Sequence, residues 1–270
     1  MKQRIRDRFE ELKVAGKTAL VPFITAGDPN LKTTARILEE LDHSGADVIE
    51  LGIPFSDPMA DGPTIQASSE RALKNGVNIK DVLGLVKDFR KKSEVPVVLF
   101  GYYNPIFSYG CKRFADAAKR AGADGVLVVD LPPEESAELK RELDRVGMDL
   151  VVLMTPTSSA GRMRQISKGA SGFVYYVSVA GVTGARKTLK HDIKDAVKTA
   201  RKVSRLPVSV GFGISTPAQA GAVAGFSDGV VVGSAIINII AKNVDGRGRP
   251  AKDLTEKVGR FVRGLKRAIS

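Results

Sequence analysis

Two carboxylates stand where proton transfer could be done. Glu50 lies near the end of the apolar run Val48-Ile49-Glu50-Leu51, and Asp61 follows in a loop holding Pro54, Pro58, Gly62 and Pro63. Burial disfavours the charged form of a carboxyl group and lifts its pKa toward neutrality. A group so lifted can both give and take a proton near pH 7. Asp61, in a Gly/Pro-rich loop, could be a second carboxylate brought in on closure. Each residue also has a plainer reading. Glu50 could be a core glutamate satisfied by a tyrosine or a backbone amide, and Asp61 a turn-forming residue before glycine.

A second constellation suits an anion. Gly184, Gly213 and Gly233-Ser234 follow three successive apolar runs late in the chain. Glycine lets backbone amides approach an anion closely, and a helix opened by Ser234 would present its N-terminal amides and dipole. One such glycine would merely end a strand. Three at corresponding positions favour a phosphate site. No set of His, Cys or carboxylate residues has metal-ligand spacing, so no metal site is expected. His43 and His191 fall in helical patterns and read as surface residues. Ser178 has no histidine partner, and no lysine stands at a strand's C-terminal end, which argues against Schiff-base chemistry.

The elements that must hold these residues come in a strand-then-helix rhythm. Strands are expected over 20–25, 47–52, 96–101, 125–130, 149–154, 172–178, 207–211 and 229–233. They are apolar throughout rather than alternating, as parallel strands buried on both faces are. Amphipathic helices are expected over 33–44 and 133–146, the latter opened by Pro132-Pro133-Glu134-Glu135. The phrases HSGAD, RAGAD and VAGFSD precede strands two, four and eight, with glycine closing a helix. Eight such units predict an α/β protein, a single (β/α)8 TIM barrel over 1–270 with an extra N-terminal helix at 5–14. An open doubly wound sheet would place a glycine fingerprint after strand one, but Thr25-Ala26-Gly27-Asp28-Pro29 does not match it. The 245–250 segment reads as flexible, with a last helix from about Asp253. In a barrel of this kind the C-terminal strand ends carry the chemistry, and those ends hold Glu50, Tyr175 and the glycines.

Composition narrows the function classes. The single cysteine, Cys111, excludes an internal disulfide and suits a reducing cytoplasm. The N-terminus lacks the apolar core of a secretory signal, and the apolar run 230–241 is too short to span a bilayer. The formal net charge is +12. Its lysines and arginines are spread over helical faces, and no nucleic-acid motif accompanies them. Neither a nucleic-acid nor a membrane partner is expected.

Taken together, the motifs closely resemble the tryptophan synthase alpha subunit family along nearly the whole chain. They are VPFITAGDP from Val21, ELGIPFSDPMADGPTIQ from Glu50, YYNPIFSYG from Tyr102, DGVLVVDLPPEES from Asp124, VSVAGVTGAR around Ser178, VGFGIS from Val210 and VVGSAI from Val231. The resemblance implies retro-aldol cleavage of indole-3-glycerol phosphate to indole and glyceraldehyde 3-phosphate. It implies Glu50 as the acid–base residue and Asp61 as acceptor of the indole N–H. It puts Tyr175 near the glutamate and Phe23, Phe100, Leu127, Val129 and Phe212 around the indole. Gly184, Gly213, Gly233 and Ser234 match the phosphate site. The loops 54–62 and 179–188 match paired lids, with Thr183 near Asp61. Val179 and Ala180 stand where some relatives have arginine or a hydroxyl residue. The resemblance further implies a beta subunit as partner, in an α2β2 assembly, with pyridoxal phosphate on that partner and no cofactor in this chain. Two other readings stay open, another barrel enzyme on a phosphorylated substrate and a non-catalytic chain that regulates a beta partner; a third, nucleic-acid binding, is not expected. Absence of a catalytic lysine or a metal-binding histidine set argues against the first. Retention of both Glu50 and Asp61 argues against the second, and the third rests on charge alone.

Overall fold

The computed structural model describes residues 3–177, 187–211 and 213–270. Its strands are β1 (Ala19–Thr25), β2 (Ile49–Gly52), β3 (Val97–Gly101), β4 (Gly125–Val128), β5 (Asp149–Met154), β6 (Val174–Val177), β7 (Val208–Gly211) and β8 (Gly229–Val232). All neighbours are parallel and β8 pairs back onto β1, so the sheet closes as a barrel in chain order. The helices among the described residues are α1 (Arg4–Val14), α2 (Leu31–His43), α3 (Pro63–Lys74), α4 (Ile79–Arg90), α5 (Tyr103–Tyr109) and α6 (Cys111–Ala121). They continue as α7 (Ala137–Val146), α8 (Ala160–Ser167), α9 (Lys187–Ser204), α10 (Pro217–Ala224), α11 (Ser234–Lys242) and α12 (Leu254–Ile269). The expected (β/α)8 barrel with an extra N-terminal helix is the fold the chain adopts.

The strands are apolar throughout because both faces are covered. One face packs on the helices, in a cluster with Ile24, Ile49, Leu99, Val126 and Val210. The other fills the barrel with Val21, Val48, Val98, Leu127, Val151, Phe173 and Val231. Ile5, Phe9 and Leu12 of α1 join this interior cluster, so the extra helix plugs the floor. Phe9 meets Phe173 with ring centroids 5.5 Å apart.

The aspartates that end the phrases HSGAD, RAGAD and VAGFSD lock the strand register. The Leu20 amide donates to Asp47 at 2.7 Å, Val97 to Asp124 at 2.9 Å and Val208 to Asp228 at 2.8 Å. Each carboxylate thus takes an amide from the preceding strand. Cations answer the charge: Lys266 on Asp47, Arg4 and Arg90 on Asp124, and Arg201 on Asp228. Gly45 and Gly122 close α2 and α6 with φ of +92° and +95°. Gly225 ends α10 at φ −63°, so left-handed closure is absent there.

Several boundaries differ from the sequence expectation. The 133–136 segment is a turn, with Glu135 donating to the Pro132 carbonyl at 3.0 Å, and α7 begins only at Ala137. Proline lacks the N–H of a helical turn, and here two prolines in succession set up the turn instead. The 245–250 segment is ordered. Val244 bridges Pro250, and the Asp245 carboxylate accepts from Arg247 and Arg249 amides at 2.9 and 2.8 Å. An aspartate that can bond its own following backbone overrides the glycines around it.

Candidate active site

Side chains alternate along a strand, so the residue two places past each interior position faces the barrel again, nearer the C-terminal mouth. From Val21, Val48, Val98, Leu127, Val151, Phe173 and Val231 this step gives Phe23, Glu50, Phe100, Val129, Leu153, Tyr175 and Gly233. The site is therefore the upper interior of the barrel. Phe23 and Phe100 meet edge to face with centroids 5.0 Å apart. Leu127 is sealed below them, while Phe100, Val129, Leu153 and Tyr175 are partly open and pack on the same cluster. The wall is apolar and aromatic, as suits a flat heteroaromatic ligand.

Glu50 is 1% exposed within this wall. Its Oε1 has no hydrogen-bond partner, so the plainer reading of a satisfied core glutamate does not describe it. Burial pushes its carboxyl up to about 8. At neutral pH the group is protonated and can act first as an acid. Tyr175 is close enough that burial, then the charges of Glu50 and Asp61, raise its phenol. That places Glu50, Tyr175 and Asp61 in one electrostatic neighbourhood. The Tyr175 hydroxyl lies where Gly211 has no side chain: a Cβ there would come within 2.6 Å of it.

Asp61 stands at the rim on the loop between β2 and α3. Burial lifts its carboxyl to about 6, and a hydrogen bond from the Tyr102 hydroxyl offsets part of that lift. The same hydroxyl accepts from the Ala60 amide at 3.0 Å, and the Tyr102 ring rests against Phe55 at 5.3 Å. Burial and the Asp61 charge push the Tyr102 phenol up to about 12, so it stays a donor at neutral pH. Sequence reasoning did not assign Tyr102 to the site, nor Leu153. Both obey the rule that finds Phe100 and Tyr175, since each is two residues past an inward side chain.

At the phosphate candidates, Gly233 precedes α11 and Ser234 opens it. Helix geometry turns the first amides of α11 outward from its own ladder. Gly213 is exposed with φ +72°, a conformation that favours glycine. A Cβ at Gly233 would meet the Phe23 ring at 3.3 Å, so that glycine also makes room for the aromatic wall. Thr183, Gly184, Phe212, Val179, Ala180 and Ser178 lie outside the described residues. His43 is exposed at the end of α2. Among the described residues no group of three or more His, Cys, Asp or Glu could hold a metal ion, and no helix is long and apolar enough to cross a membrane.

Comparison with known proteins agrees with this fold. The tryptophan synthase alpha chain family model matches residues 9–267. The tryptophan synthase alpha chain of Citrifermentans bemidjiense is 54% identical over 266 residues, covering 98% of this chain and 97% of the relative. That of Geobacter sulfurreducens is 53% identical over 266 residues, covering 98% of each. The crystal structure of tryptophan synthase subunit alpha from Legionella pneumophila superposes with a TM-score of 0.92 at 44% identity, over 100% of this chain and 99% of that one. The tryptophan synthase complex from Pyrococcus furiosus contains a chain that superposes with a TM-score of 0.82 at 40% identity, over 92% of this chain and 98% of that one. With the family model over 9–267, identities above 50% across nearly the whole chain and the same barrel fold, the chain belongs to the tryptophan synthase alpha chain family.

Proposed function

We propose that Glu50 and Asp61 carry the retro-aldol cleavage of indole-3-glycerol phosphate to indole and glyceraldehyde 3-phosphate, the alpha reaction of tryptophan biosynthesis. The observation that carries the assignment is the buried Glu50, its Oε1 without a hydrogen-bond partner, facing an aromatic wall. Protonated Glu50 delivers its proton to indole C3, and Asp61 accepts a hydrogen bond from the indole N–H as positive charge builds on the ring. The Glu50 carboxylate then takes the proton of the glycerol hydroxyl next to the scissile bond. The oxygen electrons form the aldehyde carbonyl, and the carbon–carbon bonding pair returns to the ring. Glu50 ends as it began, protonated, and no outside oxidant or base is needed.

Phe23, Phe100, Leu127, Val129 and Phe212 hold the indole, with Tyr175 beside the glutamate. Gly184, Gly213, Gly233 and Ser234 bind the phosphate through backbone amides and the α11 N-terminus. Thr183 closes toward Asp61. No cofactor belongs to this chain. The partner is a tryptophan synthase beta subunit bearing pyridoxal phosphate, in an α2β2 assembly that takes up the indole. We place this assembly in the cytoplasm, where a lone thiol such as Cys111 stays reduced, and we treat 1–270 as one functional domain. The test is to mix the purified chain with indole-3-glycerol phosphate, with and without a beta subunit, and to measure indole. No indole under either condition would overturn the reading.

A further inference from the structure

Asp61 belongs to a loop, yet the loop is tied to a helix that is itself fastened to the barrel. The Gln66 amide, on the first turns of α3, donates to the Asp61 carbonyl at 2.8 Å and reaches the Pro58 carbonyl at 3.4 Å. Both partners are acceptors, so the nitrogen end of the amide must face them. On the other side of the loop, Tyr102 holds the Ala60 amide. Behind Gln66, α3 and the Asn75 that caps it are fixed at three successive points. The Ser68 and Thr25 hydroxyls bond at 2.6 Å where both are buried. Arg71 grips Asp28 with two bonds of 2.7 and 2.8 Å. Asn75 donates to the Pro29 carbonyl at 2.6 Å. Thr25 ends β1, and Asp28 and Pro29 lie in the turn that follows it. A continuous path of short bonds therefore runs from β1, through α3, to the backbone of Asp61.

We propose that Gln66 is a positioning residue for Asp61, its amide transmitting the rigidity of β1 and α3 to the backbone that aims this carboxylate at the indole nitrogen. The proposal rests on the reading of Asp61 given above. Gln66 touches no reacting atom. It restrains the carbonyl of the residue whose side chain does, and a small misplacement of an acceptor weakens transition-state stabilisation more than substrate binding. With Gln66 removed, the loop relaxes outward and Asp61 becomes more hydrated. Its pKa then falls toward the ordinary carboxylate range.

The experiment uses the full chain with its beta subunit and measures indole release from indole-3-glycerol phosphate. The variants are Gln66→Met, Asp61→Asn and the two combined, with Gln66→Ala as a second truncation should methionine pack poorly. Gln66→Met is expected to lower kcat by roughly 10- to 100-fold with KM changed by less than about 3-fold. The acid limb of the pH–rate profile should move to lower pH, a change that general loss of packing would not produce. The double variant should be no slower than Asp61→Asn alone, because Gln66 acts through Asp61. Wild-type kcat in both Gln66 variants, beside an impaired Asp61→Asn, would overturn the positioning role alone. So would losses that multiply in the double variant, or an acid limb that stays in place. An unimpaired Asp61→Asn would overturn the reading of Asp61 and this inference with it.

Discussion

A carboxyl group held near pH 8 inside a barrel destabilises the fold that contains it. Unfolded, Glu50 releases its proton from about 4.5; folded, it keeps it to about 8. Stability therefore falls as pH rises between these values, and the full penalty is present above pH 8. Glu50→Gln should then stabilise the chain by about 2–4 kcal/mol at pH 8.5, with the gain shrinking toward pH 5. Denaturant melts at both pH values check this, and equal gains would contradict the burial argument. The same variant should lose roughly 10²–10⁴-fold in indole release. On the proposed mechanism the two carboxyl groups also set the pH range of catalysis. Asp61 must be ionised and titrates at about 6, while Glu50 must start protonated and titrates at about 8. The rate of cleavage should fall on the acid side as Asp61 gains its proton and on the alkaline side as Glu50 loses its own. A profile flat from pH 5 to 9 would show that the protonation state of neither group governs the rate-limiting step.

At the scale of elements, α3 and α11 do separate work. The Arg71–Asp28 pair secures α3, but burial pushes the Asp28 carboxyl up and the guanidinium only partly offsets this. Such a pair adds little net stability, yet breaking it leaves a charge buried alone. Arg71→Met is expected to destabilise the fold by about 3–5 kcal/mol, and adding Asp28→Asn should recover much of that. Urea unfolding of the two variants decides it. Elsewhere on the same mouth, Gly213→Asp puts a carboxylate at the phosphate candidates. The KM for indole-3-glycerol phosphate should rise at least about 10-fold from charge repulsion, without loss of fold. An unchanged KM would place the phosphate elsewhere.

For the whole molecule, the barrel has a catalytic mouth and a structural floor. The floor depends on α1, whose Phe9 is 4% exposed against Phe173. Phe9→Ala should destabilise the chain by about 3 kcal/mol through a cavity at the floor. Its cleavage rate should hold at temperatures where it stays folded, because the mouth lies at the other end of the strands. Calorimetry with an indole assay below the melting transition separates these effects. A rate that dropped in step with stability would show the two ends to be coupled.

The strand rhythm, the extra N-terminal helix and the odd glutamate were legible in the chain itself. Parallel strands covered on both faces leave continuous apolar runs, and a charge inside one stands out by type alone. Phe23, Phe100, Val129 and Tyr175 were expected at the site from the family resemblance of their motifs; the two-residue period of the strands is the physical reason they share one interior layer. Tertiary structure decided what periodicity does not encode. Tyr102 reaches back across the mouth to Ala60 and Asp61, and Gln66 turns toward the carbonyl of a residue five places earlier. Both contacts depend on how a loop folds over neighbouring elements, and hydrogen-bond partners of that kind leave no periodic trace. The turn at 133–136 and the ordered 245–250 segment came out differently for the same reason: a local propensity names residues that can bend the chain, while the surrounding bonds settle where it bends.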